Sequence, residues 1–296
     1  MRFVLGLIII GAMFCAYWGG ASYVLRHEHG RLAAKDVQVS DVAVTGFPLR
    51  FDLTAARPAL PALGWSAAWL RATLPSYWPF RAEGVLSGTQ TLMQRGTEWQ
   101  VSGGDMPFSL NSDPALRLNA AQLRGDALRL TGPGATLAVD QFEMTLSPAD
   151  IPSRRNLTLS LQDVTSSALP QPLRRATLDA MLEFDHAPDL RGTAQLATIT
   201  LQDSFLEWDG ARIGLDGTAT LRDDRRLDGQ ITLTVTGWRT MLAQMQATGL
   251  IPPDQAPMVQ MMAASMSNGD DLILPLAMDA SVLSLGPLVL FDLGRF

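Results

Sequence analysis

The stretch from Ile213 to Gly237, which reads IGLDGTATLRDDRRLDGQITLTVTG, limits the possible folds of this chain more than any other. Apolar residues alternate with polar ones, mostly threonine, on both sides of a central Asp-Asp-Arg-Arg segment. A period of two is typical of a β-strand that buries one face, so the stretch predicts a β-hairpin with a polar turn. Its apolar side chains are expected to share one side of the sheet: Ile213, Leu215, Ala219, Leu221, Leu227, Ile231, Leu233 and Val235.

Such a hairpin cannot be stable alone. Burying those side chains contributes on the order of 10 kcal/mol, whereas fixing roughly 25 residues costs about 1 to 2 kcal/mol of backbone entropy for each. The hairpin therefore needs neighbouring strands and an apolar cover for its buried face. Whether that cover is protein or a ligand becomes the functional question.

The rest of the chain repeats the alternating pattern. The segments Val37 to Val44 and Phe47 to Leu53 alternate with opposite parity across Gly46, which is typical of a β-bulge. After Leu116, short alternating segments follow one another about every ten residues, with turn signals between them. Their polar sides indicate one solvated face. We expect a mainly β protein, an antiparallel, curved, multi-strand meander.

Two regions depart from this pattern. Trp65 and Trp69 fit a short amphipathic helix that ends before Pro75. Near the C-terminus, apolar residues at helical spacing predict a helix that begins at Trp238 and a second one that begins near Asp254, a short helix pair.

This predicted helix pair concentrates the methionines of the chain. Flexible thioether side chains fill irregular gaps in a core, and they also form adaptable surfaces for apolar ligands. Both interpretations stay open for these residues, which are Met241, Met245, Met258, Met261, Met262 and Met266.

The N-terminal stretch predicts the location of the protein. No charged residue occurs from Phe3 to Leu25, about 23 residues, and a helix of that length measures about 34 Å, enough for a hydrocarbon core of about 30 Å. The uncharged run is long, and it contains only a poor match to the small-residue site at which a signal peptide is cleaved. We therefore expect an uncleaved signal anchor over residues 1–26 rather than a cleaved signal. The rest, residues 27–296, is then a periplasmic β-rich domain with a sub-domain boundary near residue 150, held by a single pass at the inner membrane.

Composition excludes several partners. Charged residues are 18% of the chain, hydrophobic residues are 47%, and the net charge is -6. An acidic chain without basic clusters is not expected to bind nucleic acid. The only cysteine, Cys15, lies within the predicted anchor, so the translocated part has no thiol for a disulfide.

One short motif resembles a catalytic one. Gly64-Trp65-Ser66-Ala67-Ala68 is close to the G-x-S-x-G nucleophile elbow, which requires a strand before the serine, a helix after it and a downstream histidine. The only histidine downstream is His186, beside a predicted turn. We therefore expect Ser66 near the start of a surface helix and predict no catalytic residue and no enzyme activity.

Metal and cofactor sites are not predicted either. His27 and His29 lie beside the predicted anchor without the further ligands that a tetrahedral site needs. The pairs Asp223-Asp224 and Asp270-Asp271 fall in predicted turns, where aspartate is favoured for local hydrogen bonds. Glycine-rich phosphate loops are absent from the sequence, so no cofactor is expected.

Four segments carry a family resemblance: GFPLRFDL at residues 46–53, FLEWDGARIGLDGTATL at 205–221, LDGQITLTVTGW at 227–238 and LSLGPLVL at 283–290. With these, the chain resembles domain-of-unknown-function family 2125, which comprises membrane-anchored proteins of Gram-negative bacteria. The resemblance implies an envelope location and no particular activity. In architecture, the chain is more distantly similar to AsmA-like envelope proteins, which handle lipids in an apolar groove.

We consider three hypotheses about function. In the first, the sheet curls around an apolar groove with the methionine-rich helices as plug or lid, and binds lipid or another apolar ligand. In the second, the chain is a scaffolding module of an envelope complex with a dry core and an envelope protein as partner. A hydrolase built on Ser66 or on a carboxylate pair is the third. The residues expected at the apolar binding face are Ile213, Leu215, Leu221, Ile231, Leu233, Val235, Met241, Met245 and Met262.

Overall fold

The computed structural model describes residues 17–19, 21, 23, 38–94, 96–167, 171–190, 194–247, 251 and 256–294. These residues are mainly β structure, and their strands pair antiparallel, as the sequence predicts. The chain divides into two compact units: Met1–Gly134 with Pro188–Thr193, and Ala135–Ala187 with Ala194–Phe296.

The first unit is a meander of long strands, most of which are interrupted in the middle. In chain order its strands are β1 (Asp41–Thr45), β2 (Arg50–Ala56), β3 (Ala59–Leu60), β4 (Trp65–Ala67), β5 (Trp69–Pro75), β6 (Arg81–Leu86), β7 (Gln90–Gln94), β8 (Thr97–Ser102), β9 (Met106–Ser112) and β10 (Leu118–Gly132). One ladder runs β1-β2-β5-β6-β9-β10, and the other runs β3-β4-β7-β8-β10. The two ladders thus show four long strands that each have a short break, namely β2/β3, β4/β5, β6/β7 and β8/β9.

The breaks lie side by side across the first unit. The amide of Arg57, in the first break, donates to the carbonyl oxygen of Ala68, and the amide of Ala68 donates to that of Thr89. Farther along, a Cβ on Gly88 would run into the backbone carbonyls of Gly103 and Gly104. Only glycine permits such a close approach of two backbones, so the breaks at Gly88 and at Gly103 depend on it.

The predicted helix at Trp65 and Trp69 is wrong, because both residues lie in strands, β4 and β5. The break at Ala68 is one residue long, so the side chains after it point to the opposite side of the sheet from the one that unbroken alternation would give. The apolar residues are then spaced as they would be on a helix. Pairing with β2, β6 and β7 then overrides any local helical preference. The predicted bulge at Gly46 is also wrong, since Gly46 lies in the turn between β1 and β2, where its carbonyl accepts from the amide of Arg50.

The second unit is a simpler meander that carries two helices. Its elements are β11 (Ala135–Pro148), β12 (Arg154–Ser166), β13 (Leu173–Phe184), β14 (Leu196–Trp208), β15 (Ala211–Leu221), β16 (Leu227–Thr236), α1 (Trp238–Ala247), α2 (Ala256–Met266), β17 (Ser267–Asn268), β18 (Asp271–Asp279), β19 (Val282–Leu285) and β20 (Leu288–Asp292). Strands β11 to β16 pair in chain order, and β18, β19 and β20 follow on from β16. The predicted C-terminal helix pair is confirmed.

The hairpin that the sequence predicts most strongly is β15 with β16. Ile213 lies opposite Val235, Leu215 opposite Leu233, and Leu221 opposite Leu227, so the alternating apolar residues do share one face. The Asp-Asp-Arg-Arg segment forms the turn, closed by a hydrogen bond from the amide of Arg222 to the carbonyl of Arg226.

The predicted membrane segment from Phe3 to Leu25 lies almost wholly outside the described residues. Its described members, which include Tyr17, Trp18 and Tyr23, are helical. Among the residues that the structure describes, no helix is both long enough and apolar enough to cross a bilayer.

Candidate apolar binding face

One face of the second unit is apolar across seven strands. Strand register places the following residues on this side, which we call the apolar face: Phe142, Met144, Leu146, Leu157, Leu159, Leu161, Ala176, Leu178, Ala180, Leu182, Ile199, Leu201, Leu206, Ile213, Leu215, Ile231, Leu233, Val235, Leu272, Leu274, Leu276 and Met278. The opposite side is polar, with pairs such as Thr158 beside Asp179 and Thr218 beside Gln230. Alternation along the strands produces this division. In β14, a register shift between Leu201 and Ser204 keeps Leu201 and Leu206 on the same side.

The helix pair covers the part of the apolar face that lies at β16 and β18. Val235 of the sheet, Trp238 and Leu242 of α1, and Ala263 of α2 form a buried cluster. Trp238 is 3% exposed, so it joins α1 firmly to the sheet.

Two other parts are covered by the unit's own strands. Near β11 to β13, Val139, Val164 and Leu173 form a buried cluster to which Trp208 contributes. Near the C-terminal strands, Leu227 and Met278 form another, with Leu283 against them. The middle of the apolar face, around Leu178 of β13, borders the first of these clusters and lies outside the buried cluster of the helix pair.

A cavity of about 220 Å³ lies in this middle part. Its lining residues are Leu159, Leu161, Ala176, Thr177, Leu178, Ser204, Leu206 and Leu215. Leu159, Leu178 and Leu215 are only half-buried, although leucine on a sheet face is normally covered. The wall of the cavity is thus almost entirely hydrocarbon.

Ser204 is a buried polar residue in the cavity wall, and its hydroxyl already makes two hydrogen bonds within the protein. At 2% exposure, its Oγ accepts a hydrogen bond from the amide of Asp179 at 2.9 Å and donates one to the carbonyl of Asp179 at 3.0 Å. The ladder between β13 and β14 is irregular here, close to Asp203, whose φ is 53°. Ser204 therefore satisfies backbone groups that the irregular ladder leaves open, and offers nothing polar to a ligand.

The structure places the predicted site residues in three groups. Leu215 lines the cavity, while Ile213, Leu233, Val235 and Met241 lie in the cluster under the helix pair. Ile231 and Leu221 pack against the cluster near the C-terminal strands.

The two remaining predicted residues lie elsewhere. Met245 is half-buried on α1, and Met262 is exposed on α2 together with Met258 and Met261. The sequence reasoning missed Leu159, Leu178 and Leu206, whose alternation predicts strands without showing which of them line a cavity.

Ser66 does not lie in an elbow. It sits in the middle of β4, opposite Ala59 on one side and Thr91 on the other, with another strand after it instead of a helix. His186 belongs to the second unit, where its Nδ1 lies 2.8 Å from a carboxylate oxygen of Asp185.

The described residues contain no group of three or more His, Cys, Asp or Glu side chains that could hold a metal ion. His27 and His29 lie outside the described residues. Asp224 lies in its predicted turn and accepts from the amide of Arg226 at 3.2 Å. Asp271 lies in β18 instead of a turn, and accepts from the hydroxyl of Thr236 on the neighbouring strand β16 at 2.6 Å.

Two loop aspartates have a lowered pKa. The backbone amide of Arg117 is the main cause at Asp113, and the backbone amide of Gln195 is the main cause at Asp185. Hydrogen bonds to a carboxylate favour its charged form. Both groups close loops and lie outside the apolar face.

These features define a mainly β protein whose second unit presents a partly covered apolar face. The chain belongs to the family described as "Uncharacterized protein conserved in bacteria (DUF2125)", whose model matches residues 28–293. No curated protein and no solved structure matches the chain. The similarity to AsmA-like proteins therefore stays a prediction.

Proposed function

We propose that this protein binds an acyl chain, or another apolar ligand of similar width, on the apolar face of its second unit. The observation that carries the proposal is the cavity of about 220 Å³ between Leu159, Leu178 and Leu215. It lies where neither the helix pair nor the C-terminal strands pack on the sheet.

The chemistry of the cavity favours hydrocarbon. No charged side chain lines it, and each methylene group moved from water into it gains about 0.8 kcal/mol. A pocket for a whole small ligand usually measures about 300 to 1,000 Å³, so this cavity suits part of a longer chain. A polar headgroup would then remain outside.

The helix pair serves as the lid in this proposal. It already covers the apolar face next to the cavity. Leu242 of α1 and Val259 of α2 belong to the same hydrophobic cluster as Val235 and Ile213 of the sheet. A chain that extends along the face from Leu215 toward Ile213 would meet α1 first.

The proposal includes the location given by the sequence, an inner-membrane protein with its bulk in the periplasm. The support is the uncharged stretch from Phe3 to Leu25. Membrane lipid is the apolar ligand that such a location would offer.

A pair of matched variants tests the ligand site. Ala176→Leu places a larger side chain in the cavity wall, and Ala277→Leu makes the same change at an exposed position on β18, on the side opposite the apolar face. Full-length protein is extracted in detergent, and bound lipid is counted by native mass spectrometry. We expect lipid on the wild type and on Ala277→Leu, and a several-fold loss on Ala176→Leu. Because Ala176 also belongs to the buried cluster of Val139 and Leu173, thermal unfolding of each variant shows that the protein counted is folded. Lipid-free wild type, or equal lipid on all three, would contradict the proposal.

One observation favours the scaffolding function as a second candidate. Among the residues that the structure describes, strand β20 pairs with β19 alone. Its apolar side chains are all exposed: Leu288, Val289, Leu290 and Phe291. An apolar edge strand is a template for adding a strand from a partner. A photo-crosslinker at Phe291 should then capture an envelope protein in intact membranes, whereas one at exposed Met93 of the first unit should not.

A further inference from the structure

Two neighbouring loops of the first unit expose large apolar side chains at one end. The β1–β2 loop presents Phe47 and Leu49, and the β5–β6 loop presents Tyr77 and Trp78. We call these four residues the aromatic patch. Single exposed apolar residues are ordinary, but a contiguous group of this kind marks an interaction site.

Ser76 joins the two loops into one surface. Its amide donates to the carbonyl of Leu49 at 2.9 Å, and its hydroxyl donates to the carbonyl of Pro48 at 2.8 Å. Ser76 is itself almost completely buried. The patch therefore has a fixed backbone beneath it, and its side chains are held next to one another.

The uncharged N-terminal stretch reaches the protein at this same patch. The ring of Trp18 lies 5.5 Å from that of Phe51 and 5.2 Å from that of Phe47, and its Nε1 donates to the carbonyl of Arg50 at 3.1 Å. The hydroxyl of Tyr17 donates to the carbonyl of Ser76, also at 3.1 Å. The uncharged stretch from Phe3 to Leu25 thus meets the first unit beside the patch, through two aromatic residues in its C-terminal half.

The residue types of the patch suit the boundary between lipid and water. Tyrosine and tryptophan combine an apolar ring with a polar group, and they accumulate at membrane interfaces for that reason. The nearby cations contribute little, because Arg50 is paired with Asp52 at 2.8 Å and Arg81 with Glu83 at 2.6 Å. Attraction to such a surface would depend on ring burial more than on anionic headgroups.

We propose that the aromatic patch lies in the lipid–water interface of the membrane as a second contact, beside the N-terminal stretch. The inference rests on the proposed membrane location and is independent of the ligand site in the second unit. This contact would hold the first unit at a fixed height above the bilayer, instead of leaving it on a tether.

A matched pair of labelling positions tests the contact. Leu49 lies in the patch and is 69% exposed, whereas Leu63 is 68% exposed in the β3–β4 turn, at the far end of the interrupted strand β2/β3. Full-length protein with Cys15→Ser and either Leu49→Cys or Leu63→Cys carries a fluorophore at the new thiol. It is reconstituted into phosphatidylethanolamine–phosphatidylglycerol vesicles that contain lipids with a nitroxide near the headgroup.

We expect the nitroxide lipids to quench the fluorophore at position 49 several-fold more than that at position 63, with little change at high salt. Protein that fails to float with the vesicles would overturn the membrane location. Protein that floats while both labels are equally quenched, or both unquenched, would overturn the patch contact alone. A label at position 49 that is shielded from aqueous iodide yet untouched by nitroxide lipids would place a protein on the patch, which also refutes the proposal.

Discussion

Replacing Ser204 with alanine should destabilise the second unit by about 2 to 4 kcal/mol. The buried hydroxyl makes both a donated and an accepted hydrogen bond to the backbone of Asp179. Alanine leaves the Asp179 amide without that acceptor, which costs about 1 to 3 kcal/mol, and the loss of the second bond adds about 1 kcal/mol. For a unit of this size the melting temperature should fall by about 4 to 16 °C.

Two measurements test this expectation. Thermal unfolding of the full-length protein gives the change in melting temperature, and hydrogen exchange followed by mass spectrometry reports on the amide of Asp179. Thr218→Ala is the control, because Thr218 is exposed and its hydroxyl makes only a 3.5 Å contact with that of Thr200. Surface changes of this kind usually stay within about 0.5 kcal/mol.

Equal melting temperatures for Ser204→Ala and Thr218→Ala, with unchanged exchange at Asp179, would refute the reasoning. In that case water would be replacing the lost hydroxyl. A wet cavity wall would also count against an acyl-chain site.

Two further predictions concern the helix pair and the loops. Trp238→Ala should cost about 3 to 5 kcal/mol and open residues 238–266 to limited proteolysis, whereas Met261→Ala, at a side chain 74% exposed, should leave the digestion pattern unchanged. Because the pKa of Asp185 is lowered in the folded state, its carboxylate stabilises the fold above the unfolded pKa of about 3.9, and this contribution is lost as the pH falls through the folded pKa. Asp185→Asn should therefore lower the urea midpoint at pH 7 and have no effect at a pH below the folded pKa; an equal loss at both would contradict the assignment.

Sequence patterns predicted the strands better than their irregularities. The β15–β16 hairpin could be predicted because its alternation is unbroken and its turn is polar. The helix expected at Trp65 and Trp69 failed because one residue, Ala68, interrupts a strand and shifts the side-chain parity of the residues after it. Local periodicity cannot distinguish such a break from a helical turn, since the difference lies in hydrogen bonds to strands distant in sequence.

Only part of the candidate site could be predicted, because local periodicity does not show contacts between residues distant in sequence. Alternation identified Leu215 and its neighbours as members of an apolar face, and Leu215 does line the cavity. The other walls, including Leu159 and Leu178, come from strands whose alternation is equally good. Which part of the face stays open depends on where α1 and α2 dock, and Trp238 decides that through packing.

The order of the strands has a consequence for how such proteins change in evolution. Almost every strand of the second unit pairs with its neighbours in the sequence, so a gained or lost hairpin would leave most other pairs intact. With strands about 4.8 Å apart, each hairpin widens or narrows the hydrocarbon surface by about 10 Å. The width of the apolar face could thus change by duplication of a single genetic segment.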